Sequence, residues 1–286
     1  MTAVVCALLA AASNALASVL QRRAARCAPE EFAFRPALLW SLIRRPVWLA
    51  GIAALIAGFL LQALALSNGG LALVQPLLVA ELPFTMILLA RMSRIRLDRR
   101  TWGAVAAMTA GLAGFLAAAS PTPGRHMPGA LDWVLAAIVT VGAIVAVVAL
   151  SRLLSGTLRA AVLGATAGTG FAFTATFMKA TTNLADQGMV VLLTSWEPYA
   201  MVAAGVGSVY LLQNALQSGT LVAAQPALTI TDPVASVVYG VTLFGEGVRS
   251  GPWVIIEVAG FALILFGSVR LSQSRPIRMQ AEIETA

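Results

Sequence analysis

Residues 66–83 read LSNGGLALVQPLLVAELP, and residues 216–233 read LQSGTLVAAQPALTITDP. Set 150 residues apart without a gap, Gly69 falls on Gly219, Leu71 on Leu221, Gln75 on Gln225, Pro76 on Pro226 and Pro83 on Pro233. The echo continues upstream through Ala50/Ala200, Ala53/Ala203, Leu61/Leu211 and Leu66/Leu216. Both copies lie in apolar stretches long enough to cross a bilayer, and each carries two prolines. A duplicated pair of proline-interrupted hydrophobic segments is the sequence mark of a secondary transporter built from two repeats.

The composition sets the class. Of 286 residues, 59% are hydrophobic and 11% charged, and the mean hydropathy is +0.86, which excludes an ordinary soluble domain. A helix needs about 20 apolar residues to span the hydrocarbon core. Nine segments qualify, near 3–21, 47–66, 70–91, 101–119, 131–151, 158–180, 188–212, 220–243 and 252–270, here numbered spans 1 to 9. The expected fold is therefore all-α and integral to the membrane, with about nine transmembrane helices in two inverted repeats. The whole chain, 1–286, reads as one membrane domain, with repeat one near 1–120, repeat two near 131–271 and a cytosolic tail at 272–286. Span 1 reads as a retained helix: its arginines, Arg22, Arg23 and Arg26, follow the apolar run, whereas a signal peptide carries its basic region first.

Basic residues set the expected orientation. The connections after spans 1, 3, 5 and 7 and the C-terminal tail hold 16 of the 19 Lys and Arg, and the opposite side holds only Arg125, Lys179 and Arg249. This places the N-terminus outside and the C-terminus in the cytoplasm, in the cytoplasmic membrane. The pI near 10.7 is then a topology signal against anionic lipid, and no nucleic-acid partner is expected. Cys6 and Cys27 have no metal-type spacing, and no disulfide is expected between them.

Spans 2, 3 and 4 echo as spans 7, 8 and 9, five crossings later. That odd separation inverts the second copy. Span 1 aligns either with span 6, where Arg22 falls on Lys179, or with span 5, in which case 30–45 is the remnant of a lost helix. Residues 30–45, EEFAFRPALLWSLIRR, are too short and too charged to span and suit an amphipathic surface segment.

Four carboxylates, Glu81, Glu197, Asp232 and Glu257, fall inside expected spans. A charge at the bilayer centre costs at least about 2.5–3.5 kcal/mol, so each needs a partner, water or a proton. Glu81 and Asp232 differ by one position in the repeat register, and each stands close to a proline that frees backbone carbonyls. Pro76, Pro83, Pro226 and Pro233 are thus expected helix breaks or hinges. On span 8, Gln225, Thr229, Asp232, Ser236 and Tyr239 share one helical face; Asn14, Ser18 and Gln21 do so on span 1, and Thr166, Thr169 and Thr176 on span 6. These three faces are expected to line one central cavity. Glu257, only a turn inside span 9, reads as interfacial or structural. Glu246 reads as a helix-end or loop contact and Lys179 as a snorkelling side chain or the partner of a neighbouring acid. Gly164 and Gly168 form a GxxxG suited to close helix packing or to a homodimer. No nucleotide loop, protease motif or catalytic triad is present, so no enzyme, cofactor or ATP-driven pump is expected.

LSNGGLALVQPLLVAELPFTMILLARMSRIRLDRRTWGAVAAMTAGLAGFL (66–116) resembles the repeated block of the drug/metabolite transporter superfamily. LTITDPVASVVYGVTLFGEGV (228–248) is similar to its second-half pattern, a mid-helix acid and proline followed by a glycine and glutamate at the helix end. The resemblance covers about 45–120 and 158–270. Nine crossings with the N-terminus outside, and FTATFMKA at 173–180, are more similar to the NIPA-type magnesium transporters than to the ten-helix EamA-type exporters. The resemblance implies a central cavity approached by Gln75, Glu81, Glu197, Gln225 and Asp232. The chain departs from both patterns: span 1 has Asn14 and no acid where small multidrug transporters carry a coupling glutamate, and 47–66 lacks the acids of the NIPA type. The expected function is export or exchange of a small metabolite or drug, with protons as the candidate coupling ion at Glu81 and Asp232. The alternatives are passage of magnesium or another divalent cation on the same two acids, and a lipid flippase or non-transporting membrane protein.

Overall fold

The computed structural model describes residues 1–26, 44–92, 98–122, 124, 127–218, 221–249 and 251–272. The segment expected at the surface, 30–45, lies outside them except for its last two residues, as do His126 and nearly all of the tail. The described residues form eleven helices and no strand: α1 (Thr2–Arg26), α2 (Pro46–Asn68), α3 (Leu71–Leu78), α4 (Glu81–Met92), α5 (Arg99–Ala119), α6 (Ala130–Ser151), α7 (Gly156–Ala185), α8 (Met189–Thr194), α9 (Glu197–Ser218), α10 (Leu221–Phe244) and α11 (Trp253–Ser272). Among them are nine stretches long and apolar enough to cross a membrane, α3 and α4 together making the third. The protein is an all-helical, multi-pass membrane protein.

Local chemistry starts several of these helices. Pro46 opens α2, where its missing N–H costs nothing. Asp98 caps α5 by accepting from Thr101 N at 2.9 Å, and Asp132 in the first turn of α6 accepts from Gly129 N at 2.8 Å. The start of α3 is different. Gly70, its N-cap, has no side chain to offer, and its cap arrives from the far end of the chain.

The most extensive helix pairings are α1 with α2, α7 with α9 and α10, and α5 with α11. The 30-residue α7 is the central span, touching α2, α3, α6, α8, α9 and α10. Its GxxxG works as expected for packing: a Cβ on Gly164 would lie 2.5 Å from Ala224 O, and one on Gly168 would lie 2.9 Å from Leu228 O. Gly111 and Gly260 do the same for α5 and α11, each hypothetical Cβ falling within 2.7 Å of the other residue's carbonyl. By contrast α6 and α9 are mostly exposed, as lipid-facing spans are.

The start of span 7 differs from expectation. The expected span at 188–212 is a six-residue α8 followed by α9, which begins only at Glu197. Ser195 in extended conformation (φ −79°, ψ 154°) ends α8, and Pro198 follows at once in the first turn of α9. The two proline-bearing spans differ from each other. α10 continues unbroken through Pro226 and Pro233, whereas span 3 is interrupted between Leu78 and Glu81.

Candidate functional site

One end of the bundle gathers the connections after spans 2, 4, 6 and 8. Thr122 bridges to Gly247, Arg249 N donates to Ala119 O at 2.9 Å, and Asn183 reaches Met127 Sδ at 3.4 Å. Gly245, with φ 64°, turns the chain out of α10 and aims Glu246 back into the protein. There the carboxylate caps α3: Leu71 N donates to Oε1 and Ala72 N to Oε2, both at 2.8 Å. Two buried N–H donors that have no partner within the helix, and the positive end of its dipole, meet a formal negative charge. Lys179 Nζ, from α7, lies 2.6 Å from the same Oε1 and 5.0 Å from the Phe244 ring centre. Both side chains of the pair are at most 4% exposed.

The carboxylate is held on two sides by glycine. A Cβ on Gly70 would fall 2.5 Å from Glu246 Oε2, and one on Gly240 would also collide with it. Around this pair the end is filled with aromatics. Trp133 stacks on Phe177 at 4.8 Å and meets Trp196 edge-on at 5.4 Å, while Phe173 and Phe244 complete the cluster. Of the two alternatives open for Lys179, snorkelling and pairing with an acid, the structure has the pairing, and Glu246 makes a helix-end contact. Sequence reading did not join the two, because they are 67 residues apart and the helix they cap belongs to the other half of the chain.

Deeper in the bundle lies a cavity of about 450 Å³. Six expected site residues line it: Asn14, Gln75, Glu81, Gln225, Thr229 and Asp232. Glu81 and Asp232 therefore share one cavity, as the repeat register implied. Pro233 also borders it, while Pro76, Pro83 and Pro226 do not. The wall at Val79 and Glu81 is the interruption of span 3. There Val79, Ala80 and Leu82 make tight three-residue bonds to Pro76, Leu77 and Val79 carbonyls at 3.1–3.2 Å. Pro83 has no N–H to continue the ladder, and such backbone is tolerated at membrane depth where it lines a cavity.

Several expectations are corrected. Glu197 is not in the central cavity. It begins α9 and lines a separate cleft of about 510 Å³ with Trp133 and Trp196. The polar stripe of α10 is divided: Gln225, Thr229 and Asp232 face the cavity, whereas Ser236 is fully buried and donates to Asp232 Oδ1 at 3.4 Å. Tyr239 instead pairs with Thr140 of α6 at 2.7 Å. Ser18 and Gln21 do not line the cavity. Nor do Thr166, Thr169 and Thr176, which bond back to carbonyls of their own helix. α7 contributes Phe171 and Thr174 to the wall, and α2 contributes Phe59 and Gln62, none of them expected. Gln62 had a readable signal, an isolated carboxamide inside an otherwise apolar span. Glu257 lies in α11 and outside the cavity.

The cavity is rich in carboxamides: Asn14, Gln62, Gln75 and Gln225. Gln75 is 4% exposed, and its Nε2 has no hydrogen-bond partner. No Lys or Arg is among the described residues that line the cavity, and none pairs with Asp232. No group of three or more His, Cys, Asp or Glu positioned to hold a metal ion occurs among the described residues.

No family model matches the chain, and no solved structure matches it. The chain is similar to an uncharacterised protein of Corynebacterium glutamicum, with 29% identity over 282 residues that cover 98% of this chain and 96% of that protein. The similarity thus extends over nearly the whole chain.

Proposed function

We propose that this chain is a secondary transporter of the drug/metabolite transporter type that moves a small solute by alternating access. The observation that carries the reading is the cavity within the bundle. It sets two carboxylates and four carboxamides beside an interrupted helix, below an end filled by the Lys179–Glu246 pair and its aromatic cluster. Polar side chains at that depth are costly to keep without a ligand, water or an ion to satisfy them. In this reading the capped end is the closed, outer gate. Opening it pulls the Lys179-paired Glu246 away from the start of α3 as the halves rock. Glu81 and Asp232 exchange solute for protons, so that a pH gradient drives flux.

The two halves are inverted repeats in this proposal. Four spans return the chain to its starting side, and span 5 (α6) then flips the second copy. The pairings support this: α1 on α2 corresponds to α7 on α9, while α5 on α11 and α3 on α10 join equivalent elements. Asn14 of α1 crosses α2 at Gly58, and Gly170 of α7 crosses α9 at Ser208, 150 residues further on. That correspondence favours matching span 1 with span 6 over span 5. The arginine-rich end then faces the cytoplasm of a bacterial inner membrane.

A second reading, a pathway for magnesium or another divalent cation, is favoured by the two acids on one cavity wall. Mg²⁺ keeps most of its waters and needs only one or two carboxylates. One comparison tests both. Solutes released by cells with and without the protein are compared for wild type, Glu81→Gln and Asp232→Asn, and Mg²⁺ entry is measured in proteoliposomes of the same three proteins. A solute exported only by wild type supports the first reading, and saturable Mg²⁺ entry lost in the variants supports the second. Identical released solutes with no Mg²⁺ entry would overturn transport altogether.

A further inference from the structure

We infer that the central cavity takes small uncharged amides, solutes that present an N–H donor beside a carbonyl acceptor, and that Gln75 is the residue that reads this pair. The inference rests on the transporter reading of the cavity and adds the chemical class of its solute. Four carboxamides line the wall: Asn14 from α1, Gln62 from α2, Gln75 from α3 and Gln225 from α10. None of their side chains hydrogen-bonds to a protein group among the described residues. The other three asparagines of the chain behave differently. Asn68 donates to Leu64 O at 2.9 Å, Asn214 to Tyr210 O at 2.7 Å and Asn183 to Met127 Sδ at 3.4 Å. The carboxamides around the cavity are therefore left for whatever enters it.

Gln75 makes the sharpest demand of the four. It is 4% exposed, and its Nε2 is buried with no acceptor. Turning the amide over would only put a carbonyl oxygen in the same unsatisfied place. A buried polar group without a partner is costly, so a solute that supplies one gains affinity over a solute that does not. A carboxamide holds its N–H and C=O side by side in one plane. A ligand with the same pair in reverse order closes two parallel hydrogen bonds with it. A carbonyl with no N–H closes one of the two, an ammonium meets only the acceptors, and a carboxylate meets only the donors. Asp232 on the same wall keeps an accepting oxygen whether ionised or protonated, so the requirement for a ligand N–H does not depend on its charge. Phe59 and Phe171 supply apolar wall for a flat ring, and about 450 Å³ falls within the range of small-molecule sites.

Four compounds built on one ring separate the possibilities: benzamide, N,N-dimethylbenzamide, benzylammonium and benzoate. They present, in order, a donor beside an acceptor, an acceptor alone, a cationic donor and an anionic acceptor. Binding to the purified full-length protein in nanodiscs is measured by calorimetry, in mildly acidic and in mildly alkaline buffer. Benzamide is expected to bind at least about tenfold more tightly than each of the other three in both buffers. Gln75→Met is expected to bring benzamide down to the affinity of N,N-dimethylbenzamide. Gln75→Glu, which keeps the shape and removes the N–H₂ group, is expected to do the same. Thr166→Val, at a residue outside the cavity, is expected to leave the order unchanged. Thermal unfolding checks that each variant is folded. Benzylammonium or benzoate bound as tightly as benzamide in either buffer would overturn the inference. So would a preference that survives both Gln75 variants, one that Thr166→Val also removes, or no binding of any of the four up to tens of millimolar. The readout is equilibrium binding and needs no flux. Benzamide bound but never carried would therefore sink the transporter reading alone, and carriage of a charged solute by a protein that does not bind benzamide would sink the amide class alone.

Discussion

Lys179 Nζ and Glu246 Oε1 stand 2.6 Å apart in the interior, and the same carboxylate accepts the first two N–H groups of α3. One acid thus joins α3, α7 and the turn after α10. The arrangement satisfies a helix end whose own N-cap, Gly70, has no side chain. It also means that α3 cannot move away from α7 and α10 without breaking two charge-assisted bonds.

Removing one partner of this pair leaves the other charged and buried. Lys179→Met and Glu246→Ala are each expected to cost roughly 3–5 kcal/mol. Glu246→Ala should be the worse because it also uncaps α3, and Glu246→Gln the milder because an amide oxygen still accepts. Thermal unfolding in detergent checks the order, and equal midpoints for all three would contradict it.

The glycines around the carboxylate give a sharper contrast. Gly70→Ala places its Cβ 2.5 Å from Glu246 Oε2 and should destabilise nearly as much as Glu246→Ala. A Cβ on Gly142 in α6 would meet nothing within 4 Å, so Gly142→Ala should be neutral or stabilising by up to about 1 kcal/mol. Both variants can be compared in the same melt.

If the pair is the outer gate, weakening it should expose the cavity from that side. With Cys6 and Cys27 changed to Ser, a cysteine substituted for Gln75 is expected to resist a membrane-impermeant thiol reagent applied to intact cells. Adding Lys179→Gln should raise its labelling rate severalfold. An unchanged rate would mean that the pair is a static brace.

The acids should divide by location. Asp232→Asn and Glu81→Gln should abolish pH-driven flux while leaving the melting temperature close to wild type, since both border the cavity. Ser236→Ala, which removes the hydrogen bond donated to Asp232, should reduce flux less. Glu197→Gln lies in a different cleft and should leave solute affinity unaltered. Flux assays on the four variants decide this, and loss of affinity in Glu197→Gln would contradict the separation.

Close crossings set a further limit. Gly111→Val should separate α5 from α11, because its Cβ would already lie 2.6 Å from Gly260 O, whereas Gly114→Val, with nothing within 4 Å, should be tolerated. Yield of folded protein after detergent extraction measures the difference.

Much of this molecule is present in local sequence. Nine apolar runs matched nine spans because hydropathy and length are properties of a single segment, and the lipid imposes helix on each. Six of the eight expected polar site residues line one cavity, since a polar group deep in an apolar span has few other places to go. What sequence could not decide was relative placement. Nothing near Glu246 says that it caps a helix 175 residues earlier, and nothing near Gly70 says that its cap comes from elsewhere. Pro76 and Pro83 accompany an interrupted helix while the matching Pro226 and Pro233 do not, because the packing around each copy, and not proline alone, decides whether a helix continues. Glu197 was misplaced for the same reason, as a helix start depends on the turn before it as well as on hydropathy. The sequence alone determined which segments enter the membrane and which of them are polar. The tertiary structure decided which polar groups meet, because burial, ion pairing and capping depend on distances between residues far apart in the chain.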